Sequence, residues 1–136
     1  MKSAVALIVM PSERRLPLLK KLKTLCVEAL VVDNCQQARA LLQTQPPVDV
    51  VITQVTLSDG NWCDVFKYLV DNDIHASLVV SSPQADEILW SEVLWRGAYD
   101  LLVEPYEGHE LRNTLEGALR ASQTSRLAAS AAHGLN

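Results

Sequence analysis

The sequence predicts an α/β fold: a doubly wound, five-stranded parallel sheet with five helices packed on its two faces. Three observations carry that expectation. Five short runs, at residues 5–9, 27–32, 48–54, 77–81 and 99–103, are dominated by Val, Leu and Ile, as strands covered on both faces require. Between them, apolar residues recur at helical spacing. The two signals alternate throughout, which demands crossover helices and hence parallel pairing.

In chain order, Met1-Lys2-Ser3 precedes the first apolar run, which Pro11 and Ser12 end. Leu16, Leu19 and Leu22, with Leu18 and Leu25 beside them, then recur at helical spacing among lysines. Pro17 has no backbone donor, so this helix either starts near Leu16 or carries a distorted first turn. Residues 27–32 alternate only in part, which suits a sheet edge. Asn34 with Gln37 makes an approximate capping box, and Ala38, Leu41 and Leu42 form the next buried stripe. Pro46 and Pro47 stop that helix. The central run ends at Gln54 and opens into a loop reaching Gly60. Trp62, Val65, Phe66, Leu69 and Val70 share one helical face, which Asp71, Asn72 and Asp73 terminate. The fourth run ends at Ser82 and Pro83; residues 86–96 read as helix, with Gly97 at C′. Glu104 and Pro105 close the fifth run. The last helix begins near Tyr106, with Glu107 and Glu110 at its positive end and Leu111, Leu115, Ala118 and Leu119 facing inward. Residues 122–136 carry no apolar period and are expected to form a flexible tail.

A chain of 136 residues, 49% hydrophobic and 21% charged, suits one domain with a substantial core. Its net charge of −4 gives no footprint for direct nucleic-acid binding. The basic cluster Arg14, Arg15, Lys20, Lys21 and Lys23 reads as a solvated helix face. The apolar run at residues 4–10 is too short to span a membrane, so a cytoplasmic protein without membrane contact is expected. Cys26, Cys35 and Cys63 form no C-x-x-C pair and have no His at ligand spacing. They are expected to be free, buried or half-buried thiols, with no metal site.

Right-handed crossovers favour the flavodoxin-like strand order 2-1-3-4-5, whose working crevice lies outside the carboxyl ends of the strands. Met10, Pro11, Ser12 and Glu13, then Gln54, Ser82 and Glu104, are placed there. Accepting a phosphoryl group at such a crevice needs a nucleophilic Asp, acidic ligands for Mg²⁺ and a charge-balancing lysine. Gln54 forms no acyl phosphate, Met10 and Pro11 hold no hard cation, and Glu104 has the wrong sign.

Leu57-Ser58-Asp59-Gly60 after the central strand, Ser82 after the fourth, Gly97-Ala98-Tyr99-Asp100 and Glu104-Pro105 make the chain resemble a bacterial response-regulator receiver domain, a CheY-like fold, over residues 5–121. Ser58 stands where the family usually has proline. The resemblance implies a receiver-like domain at residues 1–121. It places the family's acidic pair on Met10 and Pro11, the phosphoacceptor on Gln54, the lysine on Glu104, the switch hydroxyl on Ser82 and the switch aromatic on Leu101. Only the hydroxyl survives. The implied protein is a degenerate receiver, or pseudo-receiver: not an enzyme, holding no cofactor, and signalling by protein contact without phosphorylation. Glu104 is expected either to hydrogen-bond Gln54 and lock one conformation, or to point to water. Ser82 is expected to cap the following helix. Asp59, the carboxylate nearest Gln54, lies on the loop away from metal ligands, and His75 and His109 are expected to face solvent.

Ile88, Leu89, Trp90, Val93, Leu94 and Trp95 spread around the fourth helix more widely than one buried stripe needs. Exposed tryptophan is a good anchor for a partner; the bland alternative is a wide core-facing helix. The resemblance points to the same face, built from the fourth helix, fifth strand and fifth helix. Trp90, Leu94, Trp95 and Leu101 are its interface candidates, for a kinase, an effector or a second copy in a homodimer. Two other functions stay open: an active two-component phosphorelay receiver with an atypical acceptor, and the regulatory part of an antitermination or transcription system. A flavodoxin-like cofactor binder would need a phosphate loop after the first strand, and residues 11–15 contain no glycine.

Overall fold

A computed structural model of the chain describes residues 4–44 and 46–134. Met1-Lys2-Ser3 and the last two residues of the expected tail lie outside the described residues. Five strands, β1 (Val5–Val9), β2 (Glu28–Val32), β3 (Val50–Gln54), β4 (Ser77–Ser82) and β5 (Asp100–Val103), pair in parallel in the order β2-β1-β3-β4-β5. The helices are α1 (Ser12–Thr24), α2 (Cys35–Gln43), α3 (Trp62–Asp71), α4 (Glu87–Trp95) and α5 (Gly108–Gly134). This is the predicted architecture and strand order.

Two apolar layers sandwich the sheet. Leu7, Val9, Val51, Leu78, Val80 and Leu101 face α2, α3 and α4, meeting Ala38, Leu42, Val65, Leu69 and Val93. Ala6, Ile8, Val50, Ile52, Val79 and Leu102 face α1 and α5, meeting Leu18, Leu22, Leu111, Leu115 and Ala118. The alternation follows from the two-residue period of a strand. β2, at one edge, buries only Val32, in keeping with its weak pattern.

Three helices end alike. In α1, α3 and α4 the residue at C′ has positive φ (Cys26 at 58°, Asp73 at 54°, Gly97 at 103°). The next amide donates five residues back in each: Val27 to Leu22, Ile74 to Leu69 and Ala98 to Val93. These are Schellman closures, which satisfy end carbonyls and fold an apolar residue back onto the helix.

Several sequence expectations need correction. α1 starts at Ser12 with Pro17 inside it, and it buries Leu18 and Leu22 while Leu16 is exposed. Leu16 and Leu18 are about 200° apart on a helix, so both cannot face the sheet. Val70 at the end of α3 is exposed. The loop after Gln54 is a hairpin, Thr56 and Leu57 pairing antiparallel with Asn61 and Gly60. Cys26 is exposed, because it occupies the turn after α1. The last helix begins at Gly108 and does not lapse after Ala121 but runs to Gly134. Its later turns are held by polar contacts: Ser125 Oγ lies 2.7 Å from His75 Nδ1, and Arg126 donates to Asp49 and to the Val48 carbonyl.

Candidate functional site

The carboxyl edge of the sheet collects the residues singled out from the sequence, but it does not use them as expected. Met10 follows β1 with its side chain fully buried on the α1–α5 side. Its carbonyl accepts from Arg15 Nε at 2.8 Å, and Arg15 Nη2 also pairs with Asp33. The first turn of α1 therefore sets a guanidinium at the mouth of β1. Pro11 is the residue preceding that helix, in extended backbone, and offers no side-chain cap. Gln54 ends β3 half-buried, in register with Ser81.

Ser82 is buried, and its hydroxyl donates to the Gln84 carbonyl at 2.8 Å. It does not cap α4. Asp86 does, accepting from the Ile88 and Leu89 amides, because the Pro83 turn carries the chain onward before the helix starts. Glu104 neither meets Gln54 nor faces water alone. Its carboxylate accepts from Tyr106 at 3.1 Å and lies 3.8 Å from Arg14 Nη1. Tyr106 is buried, and its phenol oxygen sits 2.5 Å from Ser81 Oγ. Tyr106 has one proton and gives it to Glu104, so Ser81 donates to Tyr106. Burial, reinforced by the Glu104 charge, pushes the phenol up to about 12, against the Ser81 hydrogen bond and Arg14.

Asp59 accepts from the Cys35 and Gln36 amides at 2.8 and 2.9 Å, closing the start of α2 from the hairpin. Burial opposes its ionisation, but those amides outweigh it and hold the carboxyl below its ordinary value. Cys35 beside it is pushed up to about 11, by burial first and the Asp59 charge second, which leaves it a poor nucleophile.

The edge does not fit a hard divalent cation. Three of its acids are engaged, Asp33 with Arg15, Asp59 with amides and Glu104 with Tyr106 and Arg14, while Glu13 beside Asp33 is exposed and accepts only from Ser12 among the described residues. Among the described residues no three His, Cys, Asp or Glu side chains converge to hold a metal ion. No described helix is long and apolar enough to cross a membrane.

The second feature lies along α4 and the β5 edge. Val93 is the only buried side chain of α4, so the helix is not a wide core-facing one. Ile88 (82% exposed), Trp95 (87%), Trp90 (49%) and Leu94 all reach solvent. Trp90 borders a groove of about 610 Å³ over β5, with Leu101 and Val103 as its apolar floor and His109, Glu110 and Asn113 of α5 as its far wall.

No sequence-family model matches the chain, and no curated protein does. Solved structures match it closely in shape. The signal receiver domain of a Vibrio parahaemolyticus protein described as a Luxo repressor superposes with a TM-score of 0.79 at 21% identity, covering 93% of this chain and 98% of that one. A response regulator receiver domain from Clostridium thermocellum gives 0.78 at 17%, covering 89% and 98%. The receiver domain of an HD domain-containing protein from Pseudomonas fluorescens Pf-5 gives 0.76 at 18%, covering 91% and 99%. The fold is that of a receiver domain.

Within this receiver fold, sequence reasoning missed Arg15 and Tyr106. Arg15 was hidden in a basic cluster that reads as a solvated face, and nothing near Tyr106 in sequence names Ser81 as its neighbour. It also missed a polar cluster at the amino edge of the sheet. His75 does not simply face solvent: it sits between Ser125 and Asp73, 3.4 Å from the Asp73 carboxylate. That trio has the composition of a hydrolytic triad without its enclosure, since the Asp73 side chain is 83% exposed. His109 lies on the groove wall.

Proposed function

We propose that this protein is a receiver-like signalling module that works by contact with a protein partner, without phosphoryl transfer. Similar structures are described as signal receiver and response regulator receiver domains, and signal reception is the role carried over to this chain. One observation supports the departure from phosphoryl chemistry: the Arg15 guanidinium caps the Met10 carbonyl where a divalent cation would need acids. Gln54 occupies the acceptor position, Met10 and Pro11 the acidic pair, Glu104 the lysine and Ser82 the switch hydroxyl. The Glu104–Tyr106–Ser81 chain takes over the fixing of the β4 and β5 ends. The contact surface is the α4–β5–α5 face, with Trp90, Leu94 and Trp95 as exposed candidates, whereas Leu101, expected beside them, is buried in the core and reaches the surface only as part of the groove floor. The protein acts away from the membrane, and neither an enzymatic step nor direct nucleic-acid contact is part of this reading.

Adding magnesium and beryllofluoride, a phosphoryl mimic, tests it. Amide shifts at Gln54, Ser82 and Glu104 should stay in place. Saturable shifts clustered on those three residues would establish an atypical phosphoacceptor and end the phosphate-independent reading.

A further inference from the structure

We infer that the α4–β5–α5 groove receives a basic amphipathic helix of a partner protein, whose apolar side chain seats against Trp90, Leu101 and Val103. The inference rests on the docking role just proposed and names the partner's chemistry. Among the described residues the walls carry Asp86, Glu87, Asp100 and Glu110 and no lysine or arginine. Glu87 and Glu110 form no ion pair among the described residues. Cationic side chains around an apolar anchor complement this pattern, while an acidic segment would meet four carboxylates.

The edge strand decides between a helix and an added strand. β5 ends the sheet, so its outer backbone would be open to pairing with a partner's strand. The Leu101 amide is taken by its neighbour's carboxylate, Asp100 Oδ1, at 2.7 Å. A ladder built on β5 would have to displace that bond. The occupant therefore offers side chains rather than backbone.

A second copy is the main competitor. The outer face of α1 exposes Leu16 with Lys20 and Lys23 at successive helical turns, itself a basic amphipathic surface. Copies joined that way would meet head to tail, a heterologous contact that builds rings or filaments rather than a two-fold dimer.

The test uses the full chain and two synthetic helical peptides, each with leucine along one face and either lysine or glutamate elsewhere. Binding is read by tryptophan fluorescence and amide shifts. The lysine peptide should bind with shifts centred on Trp90, Leu101, Val103 and Asn113. Trp90→Ala should weaken it by about thirtyfold or more, the loss typical of a central anchor. Glu87→Lys with Glu110→Lys should weaken it by about three- to tenfold and flatten its salt dependence. Equal, Trp90-dependent binding of the glutamate peptide would overturn the basic partner while leaving the docking face standing. Binding by neither peptide overturns the inference. So does concentration-dependent sedimentation of the chain alone that Lys20→Glu with Lys23→Glu abolishes, since a second copy would then fill the groove. The beryllofluoride experiment reads Gln54, Ser82 and Glu104 at the strand ends, whereas the peptides read Trp90 and the α5 wall, so the broader reading can fail independently of this one.

Discussion

A single proton separates the two states of Tyr106, and the fold prefers one of them. The phenol is raised to about 12, chiefly by burial, from an ordinary value near about 10. A raised value means the stabilisation is complete below about pH 10 and is lost as pH climbs from there to about 12. Denaturant titrations across that window should lose about 2–3 kcal/mol from this group. Tyr106→Phe should flatten that loss while costing about 1–3 kcal/mol at neutral pH, because Ser81 and Glu104 each lose a partner. An unchanged alkaline slope in the variant would exclude Tyr106 as the source. At this scale the sequence was legible where partners are close along the chain. Asn34 does accept from the Gln37 amide, although Gln37 answers to Asp33 rather than to the cap residue. It was opaque for Tyr106 and Ser81, twenty-five residues apart, which only the packing of α5 against the sheet brings together.

The helices are defined more sharply by their ends than by their propensities. The three C′ positions share a positive φ but differ chemically, so substitutions there should act with opposite signs. Cys26→Gly should raise stability by about 1 kcal/mol, relieving a left-handed cysteine. Gly97→Ala should lower it by about 1–2 kcal/mol, since a Cβ there also comes 3.3 Å from Phe66 Cζ. Thermal melts of the two variants would check the pair, and equal signs would show that C′ geometry is not what limits these ends. Gly97 was readable because glycine advertises a left-handed turn. Cys26 was not, since cysteine gives no such sign. The stripe of α1 was misassigned because its leucines are too many for one face, and only the orientation set by β1 and β2 selects Leu18 and Leu22.

Over the whole molecule, both ends of the strands are tied by polar contacts that an apolar period cannot reveal. Strand count and the two-faced core followed from hydrophobic runs, because burial dictates them, and the order needed the handedness of the crossovers as well. The far turns of α5 did not, because what fastens them is hydrogen bonding from Ser125 and Arg126 to His75, Asp49 and Val48, while Ser122 bonds only its own helix at Leu119. Arg126 clasps Asp49, which in turn accepts from the Val5 amide. Arg126→Ala should therefore cost about 1 kcal/mol, and ending the chain after Ala121 somewhat more, both measurable by denaturant midpoint. A truncated chain of unchanged midpoint would mean these turns merely rest on the sheet. α4 sits at the opposite extreme, fastened by Asp86 at one end, the Gly97 closure at the other and Val93 between them. Elements so sparsely anchored open before the rest of a protein does. Deuterium should accordingly enter the amides of α4 ahead of those of α3 and the neighbouring strands. A partner that shields this helix would lengthen its exchange lifetimes, giving the molecule a bound state distinguishable by its dynamics even if its shape does not change.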